Sequence, residues 1–270
     1  MNTLEQQRIE GPGGKIAVHI GGDAQRPVVL LSHSILSSSA MWQAQAELLL
    51  KGGFRVVCVD TRGHGASDAP QPPYKMSDLV ADTVAVLDAL QIDRVHFVGL
   101  SLGGMIGFGL GTARANRLSS LVICDARADA PEAFAAPWND RIALAQKSGC
   151  AALAESTCER WFGKAFTEAN PDIAERIQGG VASTSVEGLV GCARALQGVA
   201  YLDKVDQIST PITLLVGEND GPLPQAMREL SGRIRGSIFE VIPNAGHLPN
   251  IDQPDAFNAA LLRHFERFER

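Results

Sequence analysis

A serine between two glycines is the first feature of this chain whose residue types and spacing suggest chemistry. Ser101 lies between Gly99 and Gly103 in the stretch VGLSLGG, after an apolar run that predicts a strand and before a stretch that predicts a helix. A sharp turn from strand to helix exposes a serine hydroxyl above a sheet, at a helix amino terminus whose free N–H groups favour developing negative charge. Small flanking residues are needed because the turn brings backbone segments close together. This context predicts that Ser101 is a nucleophile.

A nucleophilic serine needs a base, and the order serine, acid, histidine that goes with this turn leaves two of the six histidines. His264 lies in an amphipathic terminal helix, which favours a packed or surface position. His247 lies in PNAGHLPN, a loop rich in Gly and Pro after the last predicted strand, from which a side chain can reach over the sheet edge. We therefore expect His247 to be the base.

Two aspartates are candidates for the carboxylate that orients this histidine. Asp220 ends the stretch LLVGEND, directly after a predicted buried strand, and is the preferred candidate. Asp125 ends LVICD on the preceding strand, from which a carboxylate can sometimes reach the same histidine. The sequence favours Asp220 and leaves Asp125 open as the alternative.

An acyl-transfer site also needs main-chain donors for the oxyanion. One is expected from the amide of Leu102, which follows the nucleophile. The second is expected from the amide of Ile35, in the loop SHSILSSS that follows the predicted strand Val28–Leu31. Losing one such donor typically costs a factor of about 10² to 10³ in turnover.

These residues must be positioned by a regular framework, and the chain alternates short apolar runs with segments of helical spacing. Such alternation predicts a mostly parallel sheet covered by helices on both sides. The predicted strands are Ile16–Ile20, Val28–Leu31, Phe54–Val59, Val95–Val98, Leu121–Cys124, Ile212–Val216 and Ile238–Ile242.

The alternation stops between about Arg127 and Ile208, where helical patches are interrupted by prolines and glycines. The simplest interpretation is a helical insertion between two strands, placed as a cap over their carboxyl ends. We therefore predict a core formed by residues 1–126 and 209–270, and a cap formed by residues 127–208.

Composition excludes several classes of partner. The chain has 270 residues, a formal net charge of -6 and no run of Lys and Arg, so a nucleic-acid or anionic-membrane surface is not expected. The uncharged stretch Val95–Ala113 contains six glycines and is typical of strand, turn and helix rather than of a membrane span. The amino terminus lacks the apolar stretch of a secretory signal, and five cysteines contain no CxxC pair. These features indicate a cytoplasmic protein.

Five stretches together resemble the α/β-hydrolase superfamily across nearly the whole chain: LLSHSILSSSAMW, VVCVDTRGHGASDAP, VGLSLGGMIG, LLVGEND and PNAGHLPN. Within it the chain is most similar to the 3-oxoadipate enol-lactonases, in SHSILSSSAMW, in DTRGHGAS and in PWNDRIALAQKSGCAALAESTCERWF. The resemblance implies an α/β-hydrolase fold, a mostly parallel sheet flanked by helices with a helical cap between strands 6 and 7. It also implies hydrolysis of an enol-lactone through an acyl-serine, in aromatic acid catabolism.

The same resemblance implies substrate contacts in the cap. Trp138 corresponds to a pocket tryptophan, and Arg127 or Arg141 is expected to bind the free carboxylate of such a substrate. Two places depart from the enol-lactonases: His33 stands where asparagine is expected, and the stretch DARADAPEAF differs. No metal or organic cofactor is required by this chemistry.

Other functions remain open from the residues alone. The alternatives are a carboxylesterase or lactonase acting on a neutral small molecule, a hydrolase of C–C bonds in ring-cleavage products, and a non-catalytic ligand receptor. A dehalogenase is disfavoured because it needs a carboxylate at position 101. A protease is disfavoured because a cap of this size is expected to enclose a small molecule. The oligomeric state does not follow from the sequence.

Overall fold

The sheet that carries the predicted site has eight strands. The structure, a computed structural model, describes residues 4–268. Its strands are β1 (Glu5–Gly11), β2 (Gly14–Gly21), β3 (Val28–Ser32), β4 (Arg55–Val59), β5 (Val95–Leu100), β6 (Leu118–Cys124), β7 (Ile212–Gly217) and β8 (Ile238–Ile242). They are arranged in the order β1-β2-β4-β3-β5-β6-β7-β8. From β4 to β8 along this order every neighbouring pair is parallel, which confirms the predicted mostly parallel sheet.

Helices flank the sheet and form the connection between β6 and β7. The helices are α1 (Gln43–Lys51), α2 (Met76–Ala89), α3 (Leu102–Ala113), α4 (Glu132–Ala135), α5 (Pro137–Ser148), α6 (Ala154–Phe162), α7 (Lys164–Ala169), α8 (Pro171–Ser183), α9 (Val186–Gln197), α10 (Leu223–Arg233), α11 (Pro249–Asp252) and α12 (Pro254–Phe268). Every residue of β5 and of β7 is buried, because helices cover these central strands. This burial explains why both strands are mostly apolar in the sequence and do not alternate with exposed polar residues.

One strand was not predicted. Strand β1 has the sequence EQQRIEG and buries only Ile9, so its residues lack the apolar run on which the prediction of strands relied. It pairs antiparallel with β2, which pairs antiparallel with β4, so the two form the edge of the sheet. A strand at an edge can remain polar because only part of its surface meets the core.

The connection between β6 and β7 contains the six helices α4 to α9. Its two ends lie side by side: Asp129 pairs with Ala200 in an isolated bridge, and the amide of Tyr201 donates to the carbonyl of Ala128 at 2.7 Å. The helical insertion therefore leaves and rejoins the sheet region at neighbouring points. The division at residues 126 and 209 stays a prediction.

The uncharged stretch from residue 95 to residue 113 folds as strand β5 and helix α3, joined at Ser101. Within the described residues, no helix is both long enough and apolar enough to cross a membrane.

Candidate active site

The backbone at Ser101 is strained in the way a nucleophilic turn requires. Ser101 has φ 56° and ψ −111°, a left-handed conformation that side chains rarely adopt. A Cβ atom at Gly99 would lie 2.2 Å from the carbonyl oxygen of Gly103, and one at Gly103 would lie 2.2 Å from that of Ser32. Both flanking glycines are therefore required by close backbone contact. This is the reason for which small residues were predicted to be needed at these two positions.

His247 and Asp220 come together from two loops that follow neighbouring strands. Nδ1 of His247 lies 2.7 Å from Oδ2 of Asp220, and both side chains are mostly buried. A carboxylate that accepts from Nδ1 fixes the tautomer in which Nε2 is free to take a proton. The backbone of His247 is held as well, because its N–H donates to the carbonyl of Trp161 in the cap at 2.7 Å.

The two amides expected to form an oxyanion site are free of protein acceptors within residues 4–268. Leu102 is the first residue of α3, so its N–H has no partner inside the helix. Ile35 lies in a turn closed by the bond from the Ser37 amide to the Ser34 carbonyl at 3.2 Å. These free amides can both bind an anion.

The turn that carries Ile35 is fixed by buried histidines whose roles the sequence did not reveal. The amide of Leu36, which has φ 61°, donates to Nε2 of His64 at 3.1 Å. His33, the departure from the enol-lactonase pattern, is fully buried and lies 2.7 Å from the carbonyl of Ser34 through Nδ1. Burial lowers the pKa of both histidines, that of His64 to about 3, so both stay neutral and can accept hydrogen bonds.

A cavity of about 570 Å³ joins the core and the cap at this point. Its wall includes seven of the eight predicted site residues: Ser101, Asp220, His247, Ile35, Trp138, Arg127 and Arg141. The exception is Leu102, which contributes its amide next to Ser101 rather than a wall surface. The divergent stretch DARADAPEAF supplies Asp125, Pro131, Ala133 and Phe134 to the same wall.

The arginines of the cavity differ in their partners. Arg127 forms an ion pair with Asp129 at 3.0 Å. Arg141 lies over the ring of Trp138, 4.6 Å from its centroid, and burial lowers the pKa of its guanidinium. Arg160 of α6 also lines the cavity, and burial together with the nearby charge of Arg141 lowers its pKa to about 10.

Neither Arg141 nor Arg160 has an ion-pair partner within the described part of the chain. The charge of Arg141 helps to lower the pKa of Arg160, and two partly buried cations without an ion-pair partner among the described residues form a site suited to a carboxylate. Arg160 was not among the residues predicted from the sequence to bind substrate. The available signal was its place next to Trp161 in the amphipathic cap helix α6.

Asp125, the alternative carboxylate, lies close to the pair without replacing Asp220 in it. One side-chain ligand atom each of Asp125, Asp220 and His247 lies within 4.8 Å of the other two. The oxygen Oδ1 of Asp125 accepts from the amide of Gly217 at 2.8 Å. The oxygen hydrogen-bonded to Nδ1 of His247 belongs to Asp220.

Comparison with known proteins shows the family to which this fold belongs. A family model described as "Alpha/beta hydrolase family" matches residues 28–260. The chain is similar to the protein named 3-oxoadipate enol-lactonase 2 of Acinetobacter baylyi, with 35% identity over 92% of this chain and 91% of that protein.

Two solved structures extend the comparison to the whole fold. The enol-lactonase from Burkholderia xenovorans LB400 superposes with a TM-score of 0.91 at 30% identity, covering 96% of this chain and all of that one. A thermophilic esterase from Thermogutta terrifontis, solved with malate bound, superposes with a TM-score of 0.90 at 27% identity, covering 98% and 100%. The expected fold, with helices flanking a mostly parallel sheet, is thereby confirmed.

Proposed function

The chain belongs to the alpha/beta hydrolase family and is a hydrolase of lactones or esters, and on that premise we propose that it opens an enol-lactone carrying a free carboxylate. Ser101 is the nucleophile, His247 the general base and Asp220 the carboxylate that orients it. The reaction belongs to the breakdown of aromatic acids. Similarity to 3-oxoadipate enol-lactonase 2 over most of the chain supports this choice of substrate.

One observation carries the proposal: Ser101 and the His247–Asp220 pair share a cavity with two arginines that form no ion pair with any described residue. A nucleophile and base alone would suit many esters. The added pair of cations, Arg141 and Arg160, favours a substrate whose own carboxylate supplies the missing charge. Arg127 is less suited to this role because Asp129 already neutralises it.

The chemistry proceeds through an acyl-serine. The Nε2 atom of His247 takes the proton of the Ser101 hydroxyl as its oxygen attacks the lactone carbonyl. The negative charge on the former carbonyl oxygen is bound by the amides of Leu102 and Ile35. The ring C–O bond then breaks, and the enolate that leaves takes the proton from His247 and becomes a ketone.

Water completes the reaction by attacking the acyl-serine. His247 accepts a proton from this water, and a second tetrahedral anion forms at the same two amides. Its collapse breaks the bond to the Ser101 oxygen, which recovers the proton from His247, and a keto acid is released. Asp220 stabilises the imidazolium in both halves of the reaction.

The test follows the ultraviolet absorbance of 3-oxoadipate enol-lactone with wild type and the Ser101→Ala variant. We expect turnover by wild type and a loss of at least about a thousandfold in the variant. Absence of wild-type turnover would contradict the enol-lactone assignment, and full activity of Ser101→Ala would contradict the mechanism. Repeated turnover also separates an enzyme from a ligand receptor, which would bind without cycling.

Recognition of the carboxylate is tested separately with Arg160→Gln, Arg141→Gln and the matched control Arg127→Gln. A lost charge-assisted hydrogen bond is typically worth a factor of about 10 to 100. We expect this loss in kcat/KM for the enol-lactone in the first two variants, with little change for the neutral ester p-nitrophenyl acetate. An equal loss on both substrates, or a larger loss in Arg127→Gln, would contradict the assignment.

A second candidate is an esterase that acts on open-chain esters bearing a carboxylate. The similarity to the esterase solved with malate favours it, since malate is a small carboxylic acid. Monoethyl succinate distinguishes the two functions. A kcat/KM higher for this half-ester than for the enol-lactone would favour the esterase.

A further inference from the structure

Asp125 is tied by its backbone and its side chain to the strand that leads to Asp220. Its amide donates to the carbonyl of Leu215 at 3.0 Å, and its Oδ1 accepts from the amide of Gly217 at 2.8 Å. Its φ of 46° is in the left-handed region, which favours Gly, Asn and Asp. The carboxyl group is therefore held in one orientation, next to the His247–Asp220 pair.

The second oxygen of Asp125 lacks a donor. Oδ2 is buried without a hydrogen-bond partner within residues 4–268, and the whole residue is 1% exposed. The carboxyl group of Asp220 lies within the 4.8 Å that encloses this cluster. Two ionised carboxyl groups so close together and so poorly hydrated repel each other strongly, so one of them holds a proton. Asp220 already accepts a hydrogen bond from Nδ1 of His247, whereas Oδ2 of Asp125 has no donor among the described residues, so the geometry assigns the proton to Asp125.

We propose that Asp125 is a positioning residue whose protonated carboxyl group donates its O–H to Asp220 and so holds the Asp220 carboxylate against Nδ1 of His247. The inference rests on the proposed roles of Ser101, His247 and Asp220. In this arrangement the Asp220 carboxylate accepts hydrogen bonds from two directions, one from Nδ1 of His247 and one from the protonated carboxyl group of Asp125.

The electrostatics around Asp125 agree with this role. Burial and the charge of Asp220 raise the pKa of Asp125 well above its ordinary value. Asp252, the last residue of α11, adds a third acid nearby, and burial raises its pKa to about 6. From the cap, Arg160 lies close enough to Asp220 for the two charges to interact, and the charge of Asp220 opposes the lowering of the Arg160 pKa.

The test compares Asp125→Asn with Asp125→Gly, because both residues tolerate the left-handed backbone. Asn is neutral at every pH and keeps an N–H donor for Asp220 and a carbonyl for the Gly217 amide. Gly removes both. The readout is the rate at which diisopropyl fluorophosphate modifies Ser101, followed by mass spectrometry from pH 5 to 9. This rate depends on the nucleophile and its base and not on the enol-lactone, so failure of the substrate assignment leaves the test intact.

We expect Asp125→Asn to react within about threefold of wild type, with the same midpoint of the pH profile, since a neutral group replaces a neutral group. Asp125→Gly should react about 10 to 100 times more slowly, the usual value of a hydrogen bond to a charged group. If Asp125 were ionised, its removal would lower the pKa of His247, and the midpoint in Asp125→Asn would fall by about 0.5 pH unit or more. That result would overturn the proposal.

Three further outcomes would also overturn it. The first is an unchanged rate in Asp125→Gly. The second is a failure of the reagent to modify wild-type Ser101. The third is a rate that falls when EDTA is added, because the ligand atoms of Asp125, Asp220 and His247 are close enough to hold a cation instead of a proton. If Asp125→Gly does not fold, the pH profile of Asp125→Asn decides alone.

Discussion

The buried histidine of the terminal helix should make the protein sensitive to mild acid. His264 is almost fully buried, and its two ring nitrogens lie 2.8 Å from the hydroxyl of Thr213 and 2.7 Å from that of Ser120. Burial, followed by the nearby charges of His96 and Arg267, lowers its pKa from 6.5 to about 3. The folded protein therefore leaves this imidazole neutral where the unfolded chain protonates it.

The sign and size of the effect follow from this difference. The stabilising contribution is fully present above pH 6.5 and is lost as the pH falls from 6.5 towards 3, because only the unfolded state binds the proton there. Each pH unit within this window costs about 1.4 kcal/mol of the free energy of unfolding. Between pH 7.5 and pH 5.0, His264 should therefore cost about 2 kcal/mol.

Urea unfolding of wild type and His264→Gln at these two pH values measures the contribution. Gln keeps a donor and an acceptor and does not titrate, so the variant should lose about 2 kcal/mol less than wild type between pH 7.5 and 5.0. Phe268→Leu is the matched control, since it changes packing beside His264 without removing a titratable group. An equal loss in His264→Gln and wild type would refute the reasoning.

Two other predictions concern the geometry around Ser101. Gly103→Ala should lower both the melting temperature and kcat, because the added Cβ would lie 2.2 Å from the Ser32 carbonyl oxygen; thermal unfolding and enol-lactone turnover measure this, and a wild-type value of either would contradict it. His64→Leu removes the acceptor of the Leu36 amide and should lower kcat about tenfold with little change in KM. Partial recovery in His64→Gln would show that the acceptor, rather than the ring's packing, supports the turn.

Local signals were sufficient for the central strands and for the turn at Ser101. Strands β5 and β7 are buried on both faces, so their sequences are mostly apolar runs that stand out from the surrounding chain. Edge strand β1 lacked such a run and was missed. The glycines around Ser101 were informative because their requirement comes from backbone contacts within one turn and with the adjacent strand β3.

The partners of the charged residues could not be inferred in this way. Arg127 and Arg160 have the same side chain, yet Arg127 is paired with Asp129, whereas Arg160 lines the cavity close to the charge of Arg141. Pairing depends on how the cap helices pack against each other and over the core. Residue type and local spacing carry little information about that packing.

By itself the sequence determined the strand–helix framework, the strained turn at Ser101 and the placement of His247 in a loop at the sheet edge, because each depends on residues close together in the chain. Only the tertiary structure decided that Asp220 rather than Asp125 contacts His247, and that Arg160 joins Arg141 in the cavity. The reason is physical: hydrogen bonds and charge interactions act over a few ångströms in space. Two aspartates separated by 95 positions in the sequence can compete for one imidazole only after the fold has brought their strands side by side.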